Sequence, residues 1–278
     1  MKNILKNSIL ALTIITSSMF VGCDLDETQT VATLNNLVMS DEFDVDGTPD
    51  ASLWTYDLGD GSAQGIPGWG NNELQVYTSN AENVEVQNGL LVITARESSG
   101  GGYTSARIKT EGLFEQRYGR FEARIQVPQG KGLWPAFWLL GNDCAQNPWP
   151  GCGEIDIMEY LGDQPTMVFG TVHGPGYSGG ESISKEYELV GDRFDTGFHV
   201  FGIEWGPSHI NYYVDDVLYN SITPETIADE TNGQGTWVFD HPFYIIMNVA
   251  VGGNLPGNPD ANTTFPQRML VDYVRVYN

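Results

Sequence analysis

Residues 154–159, Glu-Ile-Asp-Ile-Met-Glu, place three carboxylates within six positions, separated by apolar side chains. On a β-strand alternate residues share a face, so Glu154 and Asp156 point one way while Ile155 and Ile157 point into a core. Crowding acids onto one surface disfavours their charged forms, and at least one is expected to keep a proton near neutrality. An ionised carboxylate beside a protonated one is the pairing that cleavage of a glycosidic bond requires: one attacks, the other assists departure. A solvated acidic edge strand would spell the same letters. The surroundings weigh against it. Trp134, Phe137, Trp138, Trp149 and Tyr160 lie close by, and the apolar faces of sugar rings stack on such aromatics.

Glu159 is out of phase. Strict alternation puts Glu154, Asp156 and Met158 on one face and sends Glu159 to the other. If Glu159 is the partner of Glu154 in a retaining mechanism, the two carboxyls must lie about 5–5.5 Å apart on one side of the bond. One extra residue, a β-bulge at Ile157 or Met158, would restore the phase.

The elements around this segment read as strands. Residues 84–87 and 90–94 flank Asn88-Gly89, a two-residue hairpin signal. Phe121, Ala123, Ile125 and Val127 alternate, as do Phe201, Ile203 and Trp205 before a Gly206-Pro207-Ser208 turn. Tyr212 and Val214 continue to a turn at Asp215-Asp216, 243–251 is a continuous apolar run, and 269–277 is β-branched and aromatic. A short helix is expected only around 224–229. Closely spaced strands of this kind predict one all-β domain, a two-sheet antiparallel sandwich.

Composition narrows the partners. With 13 Lys+Arg against 36 Asp+Glu, the formal charge is −23. Such a field repels nucleic acid and polyanionic glycans and suits a neutral substrate, although solubility alone would also explain it. At the start, Lys2 and Lys6 precede a short apolar stretch and Phe20-Val21-Gly22-Cys23. The stretch is too short to span a membrane and reads as a leader, residues 1–22, to be set apart from the fold. Its end resembles a bacterial lipobox, which implies lipidation at Cys23 and an exported lipoprotein held at the cell envelope or surface. A plain secretory leader is the alternative. Residues 23–39 are polar and acidic and read as a tether, leaving 40–278 as the domain. Cys144 and Cys152, eight positions apart, are then free to bridge in an oxidising compartment.

Trp134-Pro135-Ala136-Phe137-Trp138-Leu139-Leu140, Gly153 to Glu159 and Thr171-Val172-His173-Gly174 together resemble the laminarinases of glycoside hydrolase family 16. The likeness extends through Trp69-Gly70-Asn71-Asn72-Glu73, Ser105-Ala106-Arg107-Ile108, residues 247–254 and residues 271–277. It implies a β-jelly-roll with an open substrate cleft across one sheet, and a monomer acting on neutral β-glucan without a catalytic cofactor. Glu154 would be the nucleophile, Glu159 the acid/base, and Asp156 the group tuning the nucleophile. Trp134 and Trp138 would stack sugars, His173 would contact substrate, and Arg107, Asn248 and Asn71 or Asn72 would bind hydroxyls. A core aromatic, a satisfied strand amide and a structural ion pair are the plainer readings of Trp138, Asn248 and Arg107. The resemblance also implies a structural calcium at Glu42, the Gly89 backbone and Asp272. Leu255 departs from it, standing where laminarinases commonly carry tryptophan.

An endo-acting, retaining β-1,3-glucanase, tolerant of mixed β-1,3/1,4 links, is the leading expectation. Agarases and carrageenases share the acidic strand, but sulfated substrates call for basic subsites that this chain scarcely supplies. A transglycosylase would use the same acids. A lectin-like module would need the aromatics but not three acids at this spacing.

Overall fold

The computed structural model describes residues 34–278, so the leader, Cys23 and most of the tether lie outside the described residues. Strands alternate with turns along the chain. They are β1 (Leu37–Asp41), β2 (Thr55–Asp57), β3 (Gln75–Tyr77), β4 (Val84–Gln87), β5 (Leu90–Glu97), β6 (Tyr103–Ser105) and β7 (Arg107–Lys109). Next come β8 (Gly119–Gln126), β9 (Leu133–Gly141), β10 (Glu154–Tyr160), β11 (Met167–His173) and β12 (Ile183–Glu188). Last are β13 (His199–Gly206), β14 (His209–Val214), β15 (Val217–Ile222), β16 (Phe243–Val251) and β17 (Gln267–Tyr277).

One sheet runs β15-β14-β13-β8-β17-β5-β6-β3, with β1 also on β17 and β4 also on β5; the other runs β12-β11-β10-β9-β16-β7-β2. Pairing is antiparallel apart from a short parallel contact of β3 with β6. The two pack as the expected sandwich, because each strand lends its apolar alternates to a shared interior. From the larger sheet come Phe121, Ala123, Ile125, Phe201, Ile203 and Trp205; from the smaller come Phe137, Leu139, Ile155, Ile245 and Met247. Trp205 meets Phe243 edge-on at 5.1 Å, joining the layers. The unbroken apolar run of β16 has its reason here. All nine of its residues are buried, with Phe243, Ile245, Met247, Val249 and Val251 in the sandwich interior.

Local chemistry sets the turns. Asn88 and Gly89 both take positive φ, 57° and 75°, as a tight hairpin turn requires. The helix α1 spans Pro224–Glu230, and its first turn is closed by Thr223, whose side chain accepts from the Thr226 amide. One boundary moves. The tether was expected to reach residue 39, but Leu37–Asp41 pair with Tyr277–Val274 of β17 and Met39 is buried. The flanking Asn and Asp residues mask this short strand, whose partner is the far end of the chain.

Candidate active site

β10 lies inside the smaller sheet, between β9 and β11. Asp156 stands opposite Trp138 and Thr171, while Glu159 stands opposite Ala136 and Phe169. On the β9 side Met158 pairs with Phe137, so Ile157 is the extra residue. The expected bulge is there, and it returns Glu159 to the face that carries Glu154 and Asp156. Gly170 lies between the two partner positions on β11. A Cβ there would sit 2.3 Å from the Tyr219 hydroxyl, so only glycine lets Tyr212 and Tyr219 approach the bulge. The Tyr212 hydroxyl donates to the Thr171 carbonyl at 2.9 Å, fixing β11 beside it.

Each acid has its own surroundings. Glu159 accepts from Trp134 Nε1 at 3.1 Å and from Thr171 Oγ1 at 3.0 Å. Burial raises its pKa, against the lowering influence of His173 and of these two donors. Asp156 is the deepest of the three, and burial together with the charges of Glu154 and Glu159 raises it well above the usual carboxylate range. Glu154 is the more open, and accepts from Trp149 Nε1 at 2.8 Å.

His173 faces Glu154 across the β10–β11 pair, with Nε2 3.2 Å from Asp156 Oδ2 and 3.7 Å from Glu154 Oε1. Burial pulls its pKa down, but the hydrogen bond to Asp156 and the charges of Glu154, Asp156 and Glu159 outweigh this and push it up to about 9. When the imidazole is neutral, the Gly179 amide donates to Nδ1 at 3.1 Å, which leaves the single ring proton on Nε2, toward Asp156. Glu154, Asp156 and His173 bring ligand atoms within 4.8 Å of one another, close enough to chelate a metal ion. In the charged ring favoured below about pH 9, and in the neutral form too, Nε2 carries a proton instead of a free lone pair.

Cross-strand register builds the rest of the face. Asp57, Arg107, Asn248, Ala136 and Glu159 stand in one line across β2, β7, β16, β9 and β10. Arg107 pairs with Asp57 at 2.9 Å, and its guanidinium lies 4.7 Å from the ring centroids of both Trp69 and Trp138. The plainer reading of a structural ion pair is thus present beside the expected hydroxyl contact: Asp57, shared with Lys109, holds the guanidinium between two indoles. Asn248 is similarly engaged, accepting from Trp138 Nε1 at 2.8 Å and donating to the Tyr77 hydroxyl at 3.2 Å. That hydroxyl donates to Glu73 at 3.3 Å; Gln75 and Asn71 also donate to Glu73, at 2.6 and 3.4 Å. Of the two candidate asparagines, Asn71 is therefore turned onto Glu73, while Asn72 is exposed and donates to Asn254 at 2.9 Å.

Three contributions were not foreseen: Thr171 on the acid, Trp149 on Glu154, and the Glu73–Tyr77 pair beneath the indoles. Thr171 and Tyr77 carry no local signal, since partners on other strands give them their parts. Trp149 stood out only as a neighbouring aromatic. Its loop is closed as expected by a Cys144–Cys152 bridge with the two Cα atoms 4.9 Å apart.

The calcium expectation does not fit the side chains. Glu42 accepts from both Nε and Nη2 of Arg275, at 2.9 and 2.8 Å, and Asp272 accepts from Arg124 at 2.6 Å. Two arginines beside the intended ligands neutralise the charge a divalent cation would need.

Residues 71–275 match the sequence profile of the glycosyl hydrolases family 16. A β-glucanase of Rhodothermus marinus is 42% identical over 268 residues, covering 94% of this chain and 92% of that protein. A glucan endo-1,3-β-glucosidase A1 of Niallia circulans is 38% identical; the match takes in 87% of this chain but 38% of that longer protein. Among solved structures, the laminarinase catalytic domain of Thermotoga maritima MSB8 aligns with a TM-score of 0.81 at 51% identity, covering 87% of this chain and 98% of that one.

Proposed function

The chain belongs to glycosyl hydrolase family 16, and on that footing we propose that it is a retaining endo-β-1,3-glucanase that also accepts mixed β-1,3/1,4 links. One observation carries the reading: the bulge that brings Glu159, with its raised pKa, to the face holding the more open Glu154. Glu154 attacks the anomeric carbon while Glu159 gives its proton to the departing glycosidic oxygen. A water then enters, loses a proton to Glu159, and releases the sugar from Glu154 with its configuration restored. Trp134, hydrogen-bonded to the acid itself, and Trp138, stacked on Arg107, present indole surface along the line of the cleft. The relatives' printed activities and the excess of carboxylates support a neutral glucan as substrate. The leader and the bridged cysteines support export, with Cys23 as lipid anchor.

Reducing-sugar release from laminarin, mixed-linkage glucan and agarose, followed by proton NMR of the first anomer formed, tests this. Laminarin should be cut fastest, mixed-linkage glucan more slowly, and the β-anomer should appear first. An initial α-anomer would remove Glu154 as nucleophile, and preference for agarose would overturn the glucan reading.

A further inference from the structure

The segment 142–153, which leads into β10, is held as a rigid bracket. Besides the disulfide, Gln146 and Asn147 both donate to the Asp143 carbonyl at 2.8 Å, Gly151 to Pro148 at 2.8 Å, and Gly153 to Pro150 at 3.0 Å. Its base is tied down by His241, 3.1 Å from Asp143, and by Asn142, which donates to Glu115 at 2.6 Å. From this bracket Trp149 projects over the acids, 47% exposed, its ring 5.9 Å from that of His173. A large indole left half in solvent is poorly explained by packing alone. Its N–H reaches Glu154 Oε2 at 2.8 Å, whereas Oε1 has only His173 at 3.7 Å among the described residues.

Resting on Glu154 as nucleophile, we propose that Trp149 is a positioning residue for the reaction: its indole holds Oε2 so that Oε1 attacks, and the Cys144–Cys152 bracket keeps the indole there. In the first step the C1–Oε1 bond forms, the glycosidic bond breaks, and the leaving oxygen takes the proton of Glu159. Oε2 becomes the carbonyl oxygen of the resulting ester. The hydrogen bond costs some nucleophilicity, because charge leaves Oε2 as the ester forms. It gains orientation in that step and eases the second, in which charge returns to Oε2 under a donor already in place. Loss of the donor therefore bears on turnover and on the lifetime of the ester.

The test uses an aryl β-laminaribioside with three proteins: Trp149→Phe, the Cys144→Ser/Cys152→Ser pair, and the combination. Trp149→Phe keeps an aromatic ring but loses the N–H together with the five-membered ring that carries it. Its kcat should fall roughly 10- to 100-fold, the range spanned by a hydrogen bond to a charged group. KM should stay level or drop, and glycosyl-enzyme should accumulate on intact-mass spectra. The cysteine variant, or wild type reduced with dithiothreitol and still folded by circular dichroism, should lose kcat in the same way. The combination should be no worse than Trp149→Phe alone. A Trp149→Phe kcat within about twofold of wild type, a loss confined to KM, or full additivity would each overturn the proposal. Glu154→Gln, run alongside, separates the two claims. If it is inactive and azide rescues it with inversion, the nucleophile stands whatever Trp149 does; if it keeps wild-type rates, the functional reading itself falls.

Discussion

At the residue scale, the acid is governed by competition between burial and hydrogen bonding. In the first step, which kcat/KM reports, Glu159 must be protonated, so kcat/KM should fall as pH rises through its pKa. Burial raises that pKa, whereas the hydroxyl of Thr171 and the indole of Trp134 favour the charged form and lower it. Removing either donor must raise the pKa further. Thr171→Val and Trp134→Phe should each move the alkaline limb of the kcat/KM profile to higher pH, and the acidic limb should be less affected. A limb that stays put or moves down would show that another group is the acid. The acids themselves were legible from six consecutive letters because their chemistry depends on strand spacing. Their modulators were not. Thr171 reaches Glu159 from a neighbouring strand, and Asp57 and the two indoles that surround Arg107 come from elsewhere in the chain. The same blindness undid the calcium site, since Glu42 meets its arginine from 233 positions away.

At the element scale, β10 shows how one surplus residue decides function. Glu154 and Asp156 alternate normally, and the extra residue at Ile157 lets Glu159 rejoin them. The expectation of a bulge followed from counting once the family resemblance made Glu159 the acid/base, because no regular strand can present positions 154, 156 and 159 on one face. The hairpin at Asn88-Gly89 was legible for a comparable reason, two residues that tolerate positive φ. If phase is the point of the bulge, removing it cleanly should be tolerated. Deleting Met158 leaves Glu-Ile-Asp-Ile-Glu, which alternates strictly and keeps all three acids together. This variant should retain measurable glucanase activity. It gives up a fully buried side chain, so its melting temperature should drop in line with a loss of about 2–5 kcal/mol. Deleting Ile155 instead leaves the bulge and throws Glu154 out of phase, and should abolish activity at a comparable stability cost. Equal activities in the two deletions would mean that strand phase does not govern the site.

At the scale of the whole molecule, charge is distributed so that little positive potential is left over. Arg107 is bound to Asp57, Arg124 to Asp272, Arg193 to Asp195 and Arg275 to Glu42. Arg120 alone is shared among Glu122, Glu204 and Asp216. With most of the described arginines paired in this way, the formal charge of −23, which already counts the three carboxylates of the site, stands as a net negative field. A neutral glucan carries no charge for that field to act on, so its encounter and binding should be nearly indifferent to ionic strength. An anionic glucan of the same backbone must climb the field, and only salt can lower the barrier by screening it. Laminarin should therefore give a kcat/KM that changes less than about twofold between low salt and about 1 M NaCl. Sulfated or carboxymethylated β-1,3-glucan should be cut far more slowly at low salt and recover part of the difference as salt is added. The ratio of the two rates, followed across the salt series on one enzyme preparation, is the measurement. A steep salt dependence with laminarin, or a ratio that stays flat, would mean that neutral-substrate preference comes from contacts within the subsites and not from the field of the whole protein.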